Sequence, residues 1–179
     1  MPQRYGSAAK WLHWIMAALI LAQIPAGVAL NRVAPGPTQN RLYGLHEEFG
    51  FLLLLLAILR LTVRWRQGAP APSASLTAFE RHASIWTHRA LYFLIVAMPI
   101  LGWLAISAYG ARIDFFGIGS LPSLLPKNEP LSKVLFTLHT IGGFAMAALL
   151  LLHIGATFYH VLIRHDDVLA RILPQKRQA

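Results

Sequence analysis

Two histidines, His139 and His153, stand fourteen residues apart on one long apolar run of this 179-residue chain. Fourteen residues is close to four turns of α-helix, so both imidazoles fall on about the same face, roughly 21 Å apart along the axis. That distance is most of a bilayer's hydrocarbon core, which is about 30 Å thick. Imidazole is a metal ligand and a proton carrier near neutrality. Ionisable rings inside a membrane are functional candidates, because burying them without a partner is costly. The plain alternative for any one of them is a core or interfacial ring bonded to a backbone carbonyl. His13 and His46 also sit in apolar surroundings, and they are the natural partners to test.

Composition sets the frame. The chain is 56% hydrophobic and only 13% charged, against about 25% charged in a soluble domain. Mean hydropathy is +0.51. There is no cysteine, which excludes disulfides, thiolate metal sites, iron–sulfur clusters and thioether-linked haem. The net charge of +9 lies mostly at the ends of apolar runs. It therefore points to membrane orientation and not to nucleic acid.

Four apolar stretches are each long enough to span a membrane, and backbone groups in lipid must be satisfied internally, so they are read as helices. The expected fold is all-α: a transmembrane four-helix bundle in a single domain over 1–179. Its helices run over about 11–30, 42–64, 78–108 and 134–163, with a short cytoplasmic helix at about 167–172. Pro35-Gly36-Pro37 separates the first two helices, a Pro- and Ser-rich linker starts at Ala69, and a loop runs over about 117–130. Thr77-Ala-Phe-Glu80 reads as a capping box. Eleven Lys and Arg, including Arg4, Lys10, Arg60, Arg64, Lys176 and Arg177, flank one side. Five flank the other: Arg32, Arg41, Arg112, Lys127 and Lys133. The positive-inside rule then puts both termini in the cytoplasm.

Orientation assigns depth. The first helix runs outward, so His13 is near the cytoplasmic side. The second and fourth run inward, so His46 and His139 are near the periplasmic side and His153 lies deeper. His13 therefore matches His153, and His46 matches His139. Two pairs at two levels, each drawn from two helices, suit two haems with two axial histidines apiece. Zinc would want its ligands clustered at one point. Gly50, one turn after His46, and Gly142 with Gly143, close after His139, would let a flat macrocycle approach a helix. Gly27 places a small residue of the first helix at the outer level. Arg60, fourteen residues after His46, could neutralise a propionate of the inner haem.

These residues resemble bacterial cytochrome b561. The likeness rests on Lys10-Trp-Leu-His13-Trp14, Leu45-His46 with Gly50 and Arg60, His88-Arg-Ala-Leu-Tyr92, Met98-Pro99 with Gly102-Trp103, and a tail of His139, His153, His160, Asp166 and Leu169 to Pro174. It covers nearly the whole chain. The resemblance implies a multi-pass protein of the bacterial inner membrane with two haem b, ligated by His13, His46, His139 and His153 and exchanging electrons with ubiquinone. One branch of that family is a superoxide oxidase, which oxidises superoxide at the periplasmic face and reduces quinone. Another branch supplies cytochrome b subunits that link a periplasmic dehydrogenase or hydrogenase to the quinone pool. A reading of another class is a haem-free membrane transporter or assembly protein. Within the resemblance, His160, two turns after His153, is a possible quinone proton donor. Glu47 and Glu48 follow His46 directly and would repel an anionic substrate unless the five outer cations outweigh them.

Overall fold

The computed structural model describes residues 4–30, 32–68 and 70–174. Ala69 of the linker, and Lys176 and Arg177 of the cationic tail, lie outside the described residues. Among the described residues four helices are long and apolar enough to cross a membrane: α1 (Ser7–Leu30), α2 (Pro37–Gln67), α3 (Ala78–Tyr109) and α4 (Glu129–Leu162). The helices outrun the apolar spans that announce them, because capping residues end a helix and the edge of the hydrocarbon does not. α2 starts on Pro37, a proline in the first turn, where the missing N–H costs nothing. For the same reason Pro130 lies inside the first turn of α4 and not in the preceding loop, with Asn128 capping through its side chain to the Leu131 N–H. The capping box at Thr77 and Glu80 is formed, and Gly110, at φ 95°, ends α3 in the left-handed region that suits glycine.

Where a short helix over about 167–172 is expected, a single 3-10 turn forms, Leu169–Arg171. The Asp166 carboxylate accepts from the Val168 N–H just ahead of it. The tail is pinned back across the bundle. Trp14 Nε1 donates to the Ile172 carbonyl at 3.1 Å, the Tyr5 N–H donates to the Arg171 carbonyl at 3.3 Å, and Arg171 donates to the Ala71 carbonyl at 2.7 Å.

α1 packs on α2, α2 on α3, and α3 on α4. Where α3 ends and α4 begins, the pair is locked by small residues: Ala105 and Ala108 are fully buried, and Ser132 donates to the Ala105 carbonyl. The main core is Met16, Ile20, Leu53, Ala57, Met98 and Met146. Met146 is seven residues from both His139 and His153, about 10 Å from each along α4. A methionine-rich apolar plug thus separates the two histidine levels, and the flexible thioethers suit its irregular shape.

Candidate functional site

α4 carries His139 and His153 and reaches α2 and α1 through these two rings. His46 of α2 faces His139 with ring centroids 6.1 Å apart and planes at 79°. His13 of α1 faces His153 at 6.3 Å and 68°. The depth-matched partners are therefore brought together, and the other combinations are not. Metal–imidazole bonds are about 2.0 Å, so one iron between two imidazole nitrogens would hold the centroids roughly 6 Å apart. Each pair fits that gap. Among the described residues no three His, Asp or Glu side chains converge as a metal-ion site. Each site offers two imidazoles, the donor set of axially ligated haem.

At the His46–His139 pair, expected on the outer side, His139 Nδ1 donates to the Met98 carbonyl at 3.1 Å. A carbonyl only accepts, so the proton sits on Nδ1 and Nε2 is left as a free base. His46 Nδ1 is buried without a hydrogen-bond partner, a nitrogen open to a bound group. The His46 backbone carbonyl takes the Gln23 amide at 2.8 Å, which ties α1 to α2 beside the site. Two glycines back the rings. A Cβ on Gly27 would stand 3.1 Å from His46 Cε1, and one on Gly102 would stand 3.3 Å from His139 Cε1.

Gly50 and Gly142 face elsewhere. Gly50 lies beside the Gln23 amide, and Gly142 lies against the Met98 sulfur. Room for a macrocycle along Gly142 thus depends on that flexible thioether moving aside.

At the His13–His153 pair, expected on the inner side, Arg60 spans His13 Nδ1 at 3.3 Å and the Ala9 carbonyl at 3.2 Å. A guanidinium only donates, so Nδ1 accepts here and the neutral ring carries its proton on Nε2. Binding a metal through Nε2 requires the other tautomer, with the Arg60 contact to Nδ1 opened. His88 of α3 stands against His153, centroids 5.1 Å apart, and its Nδ1 donates to the Ser84 carbonyl at 2.7 Å.

His88 and Gly102 are the residues that sequence reasoning passed over as site neighbours. They are fourteen residues apart, the same four-turn interval as His139 to His153, which puts them on one face of α3 but does not say that this face meets the rings of α4.

His160 is buried, 7% exposed. Its Nδ1 meets the Asp166 carboxylate at 2.6 Å, both side chains 9% exposed. Asp166 also accepts from the Ser75 hydroxyl at 3.1 Å, and Ser73 donates to Asp167 at 2.8 Å. The Asp166 carboxyl is held below its ordinary value near 3.8. Burial pushes it up, but the bonds from His160, the Val168 N–H and Ser75 together outweigh that.

Comparison with known proteins places the chain among membrane cytochromes. A family model described as prokaryotic cytochrome b561 matches residues 4–175. Cytochrome b561 homolog 2 of Escherichia coli K12 is 27% identical over 173 residues, covering 96% of this chain and 92% of that protein. Cytochrome b561 homolog 1 of the same organism is 28% identical over 181 residues, covering 97% and 99%. A probable superoxide oxidase, CybB, of Yersinia pestis is 24% identical over 181 residues, covering 99% of each chain. With the match running through all four helices, the chain belongs to the prokaryotic cytochrome b561 family of multi-pass membrane proteins, which carry electrons across the bilayer on b-type haem.

Proposed function

We propose that this chain is a superoxide:ubiquinone oxidoreductase of the bacterial inner membrane with both termini in the cytoplasm. His46 and His139 would hold a periplasmic haem b, and His13 and His153 a cytoplasmic one. The observation that carries the reading is the pairing itself, two imidazole couples about 6 Å apart at two depths. Bound there, two haems with both axial positions filled would supply one-electron centres suited to electron transfer and not to oxygen binding. The overall reaction balances: two superoxide anions leave as dioxygen, and one quinone takes up the two electrons and two protons.

The surroundings support an anionic donor at the outer face. Arg32, Arg41, Arg112, Lys127 and Lys133 are all exposed, while Glu48 is turned inward at 5% exposure and Glu47 is half-buried. Two exposed acids stand among these cations, Asp114 and Glu129, the latter paired with Lys127 at 3.6 Å, so the charge that a solute meets there is net positive and raises the local concentration of a small anion. At the inner pair, Arg60 places a fixed cation beside His13 and can pair with a propionate. A cation there favours arrival of an electron, so the inner level is the natural acceptor. His160, held through Nδ1 by Asp166, keeps Nε2 for passing a proton to quinone.

The test uses the purified chain alone. An anaerobic visible spectrum is recorded, a superoxide pulse is given, and a ubiquinone analogue follows. The expected result is haem reduction by the pulse and reoxidation by quinone with no partner present. Reduction that needs a co-purifying protein would make the chain a carrier subunit for a dehydrogenase or hydrogenase. A protein with no redox-active spectrum would be a haem-free transporter or assembly factor, and the reading would fall.

A further inference from the structure

A cavity of about 410 Å³ opens between the N-terminus of α1, the last turns of α2 and Tyr92 of α3. Arg4, Arg60 and Arg64 line it together with Tyr5 and Gln67, and neither Asp nor Glu does. The Arg60 and Arg64 guanidiniums both lie over the Tyr92 ring, 5.6 and 5.0 Å from its centroid. None of the chain's ion pairs among the described residues includes Arg4, Arg60 or Arg64. Like charges gathered in one partly enclosed space repel, and the ring quadrupole offsets only part of that. An oxyanion among them removes the repulsion, and guanidinium forks match phosphate geometry. Arg60 serves the inner histidine pair, through His13 and the Ala9 carbonyl here and through a propionate once haem is bound, which leaves Arg64 and Arg4 for a second anion.

Depth names the source of that anion. Trp11 and Trp65, on the two helices that flank the cavity, are 58% and 84% exposed. Exposed tryptophans on a spanning helix mark the headgroup level, so the cavity opens where lipid phosphates lie. Basic pockets between membrane helices at that level are suited to anionic headgroups.

We propose that this cavity binds the phosphate group of an anionic phospholipid, held by Arg64 and Arg4. The site rests on membrane placement and not on the superoxide reading.

The test offers the haem-loaded protein equal amounts of phosphatidylglycerol and phosphatidylcholine in detergent and reads bound lipid by native mass spectrometry. The wild type should retain phosphatidylglycerol selectively. The double variant Arg4→Gln, Arg64→Gln should lose that selectivity by more than tenfold, at about fivefold per arginine, with an unchanged haem spectrum as the check on folding. A charge-matched control, Arg66→Gln with Arg81→Gln, removes two exposed arginines outside the cavity and should keep most of the selectivity. Equal loss in the control would show diffuse attraction and overturn the site, as would equal retention of both lipids by the wild type. A further arm adds inorganic phosphate alone. Saturation by phosphate without any preference for phosphatidylglycerol would assign a free anion and overturn the lipid proposal.

Discussion

The outer and inner histidine pairs use the same ring at nearly the same separation, yet they are held by different kinds of matter. The outer clasp is neutral and largely backbone: the Met98 carbonyl on His139, the Gln23 amide on the His46 carbonyl, and Gly27 and Gly102 pressed against the two rings. The inner clasp is built from side chains and is charged: Arg60 on His13 and the His88 ring against His153. No described glycine faces either inner ring. If each pair holds a haem, one donor set in two electrostatic settings would give two centres that differ in redox character without any difference in ligand. Under the proposed orientation, the Arg60 charge at the inner level would favour inward electron flow.

The most severe way to break this comparison is to remove a ring. His46→Ala or His139→Ala should abolish haem at the outer site alone, so the haem-to-protein ratio measured by pyridine haemochrome falls from two to one. Equal loss of both haems would refute the pairing by depth. A subtler break fills the glycine clasp. Gly102→Val adds bulk where even a Cβ stands 3.3 Å from His139 Cε1. Overpacking of this kind costs about 1–3 kcal/mol, so outer haem affinity should fall about tenfold or more. The inner haem should not respond, and a loss shared by both levels would show that the clasp is not local.

Charge sharpens the contrast further. Arg60→Gln removes the cation beside His13 and should lower the inner midpoint potential by about 50 mV, from roughly 1 kcal/mol of Coulomb interaction at an effective dielectric near 20 with solvent screening. Potentiometric titration should find the outer potential nearly unmoved; a larger shift there would reverse the assignment.

The smallest effect concerns the tail. Because the Asp166 carboxyl is held below its ordinary value near 3.8, its bonds stabilise the fold above that pH. Their contribution is lost as the pH falls below it, when the carboxylate is protonated. Hydrogen exchange in 164–173 should therefore rise on acidification below about pH 4 while the four helices stay protected. Asp166→Asn should show the raised exchange already at neutral pH, and an unchanged tail in that variant would show that the carboxylate is not what pins it.

Much of the architecture is legible in the residues because a membrane makes so few structures possible. Four apolar stretches of sufficient length in a chain without cysteine leave little besides a helical bundle. The His13–His153 and His46–His139 partnerships follow from chain direction and helical rise. The extent of each helix is less legible, since Pro37 and Pro130 look like breaks and act as first-turn residues. The glycines divide the same way. Gly27 meets His46 as its interval from His13 suggests, whereas Gly50 and Gly142 face Gln23 and Met98. Which way a glycine looks depends on helix rotation, and the even apolar surface of a lipid-facing helix leaves rotation almost unmarked.

The sequence by itself thus determined the number of helices, the absence of thiolate chemistry and the two levels at which imidazoles can meet, because these depend on composition and on rise per residue. Tertiary structure alone decided what touches each ring: the Met98 carbonyl and Gly102 at His139, Arg60 at His13, His88 at His153, and Asp166 at His160. Such contacts join residues far apart in the chain, and they are set by how helices rotate and lean on one another, which no local pattern encodes.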